Sequence, residues 1–181
     1  VVAVVPKTYI PNYGEFYEKR WFASGAGMEE HSFSVRVPEL EGEFGPWIEM
    51  FGACPLISCP DVPGLVIGVE ICEDLWAADA PSRTLAERGA TLILNLSASN
   101  EVVGKADYRR SLVCGQSARL MCAYVYADAG EGESTTDLVF AGHDMIAENG
   151  ALLAESRFTA GLTVSEIDVQ KLCCERRRVT T

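Results

Sequence analysis

Two hydrophobic periods alternate along the chain, and that alternation limits the possible folds more than any other feature. Leu65–Val69, Thr91–Leu96 and Ala123–Ala127 are short, continuously apolar runs with the length and composition of buried strands. Helical patterns lie between them. Pro81–Arg88 has Pro near its start, Leu85 and Ala86 inside and Gly89 after its end. Lys105–Met121 carries apolar or small residues at helical spacing and forms the longest expected helix. A strand face and a helix stripe must each be buried against another element, so this order predicts an α/β layered architecture. Beyond it, Gly130–Ser134 reads as a turn and Leu138–Phe158 as a hairpin hinged on Asn149-Gly150. Leu162–Ile167 is expected as a further strand, and a short helix ends in Arg176-Arg177-Arg178.

Val1–Val5 reads as another buried strand with no cap or turn before it, which predicts a piece cut from a longer protein. An aromatic loop, Tyr9 to Phe22, follows. Residues 26–63, rich in Glu, Pro and Gly, predict turns, loose hairpins and exposed loops: an irregular insertion within one domain spanning residues 1–181. Trp21, Phe22 and Trp47 are expected as packing residues.

The net charge of −11 with only four lysines argues against a nucleic-acid or anionic-membrane footprint. The apolar runs are far too short to span a bilayer, and no secretory pattern opens the chain. Seven cysteines, an odd number without any Cys-x-x-Cys pair, do not make a disulfide framework. Only His31 and His143 could join a zinc site, and neither lies near a Cys pair, so no metal is expected. A reducing cytoplasm fits this cysteine usage.

Cys72 is the sharpest chemical candidate: it ends a buried strand, where α/β sheets present reactive groups, and Glu73 and Asp74 follow at once. Lys7 holds the equivalent place after Val5-Pro6. An ammonium beside a thiol lowers its pKa and can stabilise the oxyanion formed when that thiol attacks a carbonyl. On the residues alone, a buried structural thiol and a solvated lysine remain open alternatives. A Cys–His pair would need His31 or His143, and neither sits in a motif. Gly130-x-Gly132 lacks the third glycine and lysine of a phosphate loop, and Arg176–Arg178 reads as a solvated helix end complementing the dipole.

Several ordered blocks carry a resemblance. The run from Val5-Pro6-Lys7-Thr8 through Tyr13 and Glu18 to Trp21-Phe22 resembles the lysine segment of the nitrilase superfamily of carbon–nitrogen hydrolases, most of all the glutaminase domains of glutamine-dependent NAD synthetases. Val69-Glu70-Ile71-Cys72-Glu73-Asp74-Leu75-Trp76 is similar to the nucleophile segment. Asn95–Asn100, Gly104–Arg110 and Gly132–Leu138 match in order, and Gly142–Ile146 with Asn149-Gly150 is a more general nitrilase-type hairpin.

The resemblance implies a four-layer α-β-β-α sandwich and a Glu-Lys-Cys triad. Cys72 would attack the side-chain amide of glutamine, Lys7 would stabilise the oxyanion, and Glu18 would be the second glutamate that orients the lysine. Tyr13, Glu73, Trp76, Ser99 and Lys105 would line the glutamine pocket, with Lys105 and Glu73 on the amino-acid head group. It further implies a homo-oligomer, ammonia made for ATP-dependent amidation of deamido-NAD to NAD, and no cofactor in these residues. ATP and magnesium would belong to a synthetase domain outside them. The general-base glutamate of the family precedes the lysine strand, so the sandwich is expected to be incomplete at its N-terminus and the 181 residues alone to be nearly inactive. Two alternatives are a stand-alone nitrilase-type aliphatic amidase, against which Gly104–Arg110 and Gly132–Leu138 argue, and a non-catalytic binding or assembly module.

Overall fold

The computed structural model describes residues 4–28, 33–36, 47–50, 55–133, 137–158 and 161–179. The three apolar runs form β4 (Val66–Ile71), β5 (Leu92–Ser97) and β6 (Ala123–Asp128), with β1 to β3 preceding them as Phe33–Arg36, Trp47–Met50 and Leu56–Ser58. β4, β5 and β6 pair in parallel, Ile67 opposite Leu92 and Leu92 opposite Ala123. Parallel neighbours need a crossover rather than a tight turn. The chain supplies α1 (Pro81–Glu87) and α2 (Lys105–Leu120) in the two gaps.

β7 (His143–Glu148) and β8 (Ala151–Arg157) continue the sheet antiparallel beyond β6, and β3 closes the other edge antiparallel to β4. The order in this six-stranded sheet follows the chain, β3-β4-β5-β6-β7-β8, while β1 and β2 form a separate hairpin. The turn expected at Asn149-Gly150 is present, both residues at positive φ (+46° and +89°), the combination a tight hairpin of right-handed twist requires.

Both helices cover one face of the sheet and touch each other, Gln116 Nε2 donating to Ser82 Oγ at 2.8 Å. Leu85, Ile93, Val113, Tyr124 and Met145, all fully buried, make the core between them. Gly68 lets α1 approach: a Cβ there would stand 3.1 Å from Leu85 and 3.2 Å from Ile93. On the opposite face Leu96 is 58% exposed. Helix α3 (Val169–Arg178) docks through Leu172, with the Asp168 carboxylate accepting from Lys171 N at 2.9 Å as its cap.

The structure corrects several expectations. Leu162–Ile167 forms no strand: Leu162 and Val164 point outward with no described neighbour to complete a ladder. Of the strand expected at Val1–Val5, residues 1–3 lie outside the described ones, and Val4 and Val5 belong to no strand. Trp21 and Phe22 are exposed rather than packed, while the side chain of Trp47 lies outside the description. Arg176 is not simply solvated; it donates to the carbonyls of Met121 and Leu120 (3.0 and 3.1 Å) and caps the C-terminus of α2. Within residues 26–63, Leu56–Ser58 is an edge strand of the main sheet rather than a loop. Among the described residues, the six cysteines are free thiols and no helix is long and apolar enough to cross a membrane.

Candidate active site

Cys72 sits at the carboxyl end of β4, on the sheet edge where parallel strands open a crevice. Its φ is +50°, a left-handed conformation uncommon for a non-glycine residue, and from it the chain enters a 3₁₀ turn, Cys72–Leu75. Asp74, almost fully buried, holds this turn against the lysine segment. One of its carboxylate oxygens accepts from Ile71 N at 2.9 Å and the other from Tyr9 N at 2.8 Å. A single carboxylate therefore fixes the approach of two stretches that lie far apart in sequence.

Lys7 is anchored twice: its carbonyl accepts from Gly25 N at 2.8 Å, and its Nζ contacts Glu18 Oε2 at 2.7 Å. The structure therefore brings these two side chains together. The field of Lys7 reaches Cys72 and favours the thiolate, as do hydrogen bonds from Ala98 N and Ser97. Burial is the larger influence, however, and the thiol is pushed up from its ordinary value. Lys7 thus acts on the thiol in the expected direction, and burial outweighs it. Alkylation of Cys72 by iodoacetamide, followed by peptide mapping against pH, should accordingly reach half its plateau above the range of a free thiol. A midpoint near neutrality would contradict that balance.

Beside Cys72, the Tyr13 hydroxyl spans both oxygens of Glu73 at 3.0 and 2.9 Å. Burial raises the Glu73 carboxyl, while Tyr13, Lys7 and Lys105 pull it down. Lys105 lies 4.8 Å above the centre of the Trp76 ring and donates to Asn100, whose amide donates to Glu15. Tyr13, Glu73, Trp76 and Lys105 are thus brought together around Cys72. Ser99 is not aimed with them: it is buried, its hydroxyl accepts from Arg109 Nη2 at 3.2 Å, and its backbone N–H donates to Asp128 at 2.8 Å.

Sequence reasoning missed Asn100 and Glu15 and gave Asp74 no role, although all three lie inside the quoted blocks. It also missed Arg109, fully buried on α2, which contacts His143 Nδ1 (2.9 Å), the Asn100 carbonyl (3.0 Å) and Glu101 (3.5 Å). An arginine inside a helical pattern reads as a surface residue, and only the packing of α2 on β7 puts it inside. Among the described residues, no cluster of three or more His, Cys, Asp or Glu side chains could hold a metal ion.

No family model matches the chain. Over its whole length it is 46% identical to a glutamine-dependent NAD(+) synthetase of Mycobacterium tuberculosis, and it spans 26% of that relative. A glutamine-dependent NAD(+) synthetase of Cytophaga hutchinsonii, 30% identical, superposes with a TM-score of 0.66 over 87% of this chain and 23% of its own. The carbon–nitrogen hydrolase of Helicobacter pylori, at 17% identity, shares the fold, with a TM-score of 0.68 over 98% of this chain and 56% of its own. The six-stranded mixed sheet with its helix layer is the α/β architecture of the nitrilase-type carbon–nitrogen hydrolases. Within that class, the chain belongs to the glutaminase domains of the glutamine-dependent NAD(+) synthetases. It spans about a quarter of the length of the curated relatives it matches.

Proposed function

We propose that this chain carries the glutamine-hydrolysing half-site of an NAD synthetase, with Cys72 as nucleophile. The observation that supports this best is the convergence on one sheet edge of Cys72, the Glu18-anchored Lys7 and the Tyr13–Glu73 pair. The Cys72 sulfur attacks the side-chain amide carbon of glutamine, and the Lys7 ammonium stabilises the oxyanion of the tetrahedral intermediate. As the carbon–nitrogen bond breaks, ammonia departs with a proton and a thioester remains. Water then attacks that thioester, releasing glutamate and restoring the thiol. The sum is glutamine plus water giving glutamate plus ammonia.

Glu18 orients Lys7, and Glu73 with Lys105 holds the amino-acid head group: the carboxylate takes the ammonium and the lysine takes the carboxylate. Tyr13 and Trp76 wall the pocket. Ser99 supports its floor through Arg109 rather than touching substrate.

A thiol raised by burial needs a proton acceptor at the moment of attack, and that base is a glutamate outside these 181 residues. The ammonia serves amidation of deamido-NAD in the cytoplasm by a synthetase domain of the same protein, which assembles as a homo-oligomer. ATP and magnesium act there: the residues described here offer neither a carboxylate cluster for the cation nor a glycine loop with a lysine for phosphate, so no step in this site runs through them.

The test is mass spectrometry of the complete gene product after treatment with a glutamine-analogue electrophile. A single adduct on the Cys72 peptide, suppressed by glutamine, is the expected result. Labelling that glutamine does not suppress would favour the amidase alternative, and no labelling would favour a non-catalytic module.

A further inference from the structure

Glu70 is a fully buried carboxylate on β4, two residues before Cys72, and the reaction above gives it nothing to do. Burying a carboxylate is costly unless its oxygens are well bonded, so its partners carry information. One oxygen accepts from Ser82 N at 2.7 Å and the other from the Tyr124 hydroxyl. Tyr124 Oη in turn accepts from Asn95 Nδ2 at 3.0 Å, and Asn95 Oδ1 accepts from Cys72 N at 3.1 Å and from Ser97 Oγ at 2.7 Å. Asn95 and Tyr124, like Glu70, are almost wholly buried. The parallel register that sets Glu70 opposite Asn95 builds this row into the sheet.

Resting on the reading of Cys72 as the nucleophile, we infer that Glu70, Tyr124 and Asn95 are positioning residues: a hydrogen-bond relay of fixed direction that holds the Cys72 backbone in its left-handed conformation. The direction follows from donor and acceptor chemistry alone. The Cys72 N–H can only donate, so Asn95 must offer it the oxygen, and the amide nitrogen is left to face Tyr124. That nitrogen can only donate, so the tyrosine proton must point away from it, to Glu70. A carboxylate at Glu70 accepts from both its neighbours and closes the chain without a conflict. Reversing any one link sends the reversal along the row until a donor faces the Cys72 N–H. The amide then ceases to hold a backbone at +50° that an L residue adopts only under restraint.

Glu70→Gln separates this role from a structural one because it keeps shape and removes a buried charge. Its amide nitrogen would face Tyr124 Oη, leaving the tyrosine proton either unpaired or turned toward Asn95. In the complete gene product, kcat for glutamine should fall about 10- to 100-fold with KM unchanged and with an unfolding midpoint no lower than the parent's. Tyr124→Phe, assayed well below its own unfolding midpoint, should show the same split and keeps the test open if Glu70→Gln does not fold. Parental kcat in the folded variants, or a kcat loss matched by a change in KM, would overturn the relay. Cys72→Ala run alongside tells the two readings apart: its inactivity with parental kcat in the relay variants removes the relay only, whereas retained glutamine hydrolysis in Cys72→Ala removes the underlying reading.

Discussion

Cys72→Ala in the complete gene product should lower glutamine-driven activity by about 10³-fold or more while leaving activity driven by added ammonium salt in place. The size of the loss follows from the chemistry proposed for the site. Without a thiol there is no thioester, and water must attack an unactivated amide directly. The bound lysine then has no thiol-derived oxyanion to stabilise, so the contributions of Cys72 and Lys7 vanish together rather than separately. Lys7→Met should itself cost about 10²- to 10³-fold in kcat, the range seen when one oxyanion donor is removed. The fold should survive the cysteine change, because Cys72 is only partly buried and its backbone bond to Asn95 does not involve the side chain. A variant that loses ammonium-driven activity equally would mean that Cys72 supports structure and not glutamine chemistry.

The second large effect is on stability. Arg109→Met should lower the free energy of unfolding by about 3–5 kcal/mol, the usual cost of removing one partner from a buried charged network. Its guanidinium is wholly buried and donates to Ser99, the Asn100 carbonyl and His143, with Glu101 at 3.5 Å also shared with Arg157. Arginine only donates and a carboxylate only accepts, so His143 must accept a hydrogen bond from Arg109 at Nδ1 and donate one from Nε2–H to Glu155 at 2.6 Å. Protonating Nδ1 would set two donors face to face. Burial, with Arg109 beside the ring, indeed holds the His143 pKa below its ordinary 6.5 against the pull of Glu155.

The sign of the pH dependence follows. The unfolded histidine binds its proton first, so this stabilisation is complete above pH 6.5 and is lost as pH falls through the lower folded value. Urea unfolding of the parent and of Arg109→Met should therefore differ most near neutrality and converge in acid. Equal stability at pH 7 would show that the network is energetically neutral.

The α/β class was legible from the two alternating periods, because a buried strand and a covering helix impose different spacings on apolar residues. Asn149-Gly150 was legible for a similarly local reason: its turn needs two positive φ values, and few residue pairs accept them. Lys7, Cys72 and Glu18 stood out through ordered motifs, and the structure brings Lys7 and Glu18 together at 2.7 Å. Leu162–Ile167 was misread, since alternation in a peptide cannot say whether a neighbouring strand exists to complete its hydrogen bonds.

The sequence by itself determined local period, turn chemistry and which residues are the candidates for chemistry, because these depend on residues within a few positions of one another. Only the tertiary structure decided what those groups experience. Asp74 joins the Cys72 turn to the Lys7 segment, Arg109 engages the Ser99 hydroxyl, and Glu70 and Tyr124 reach Cys72 through Asn95. The thiol itself shifts upward although a lysine lies near it, since desolvation depends on everything packed around a group and one charged neighbour is only a part of that.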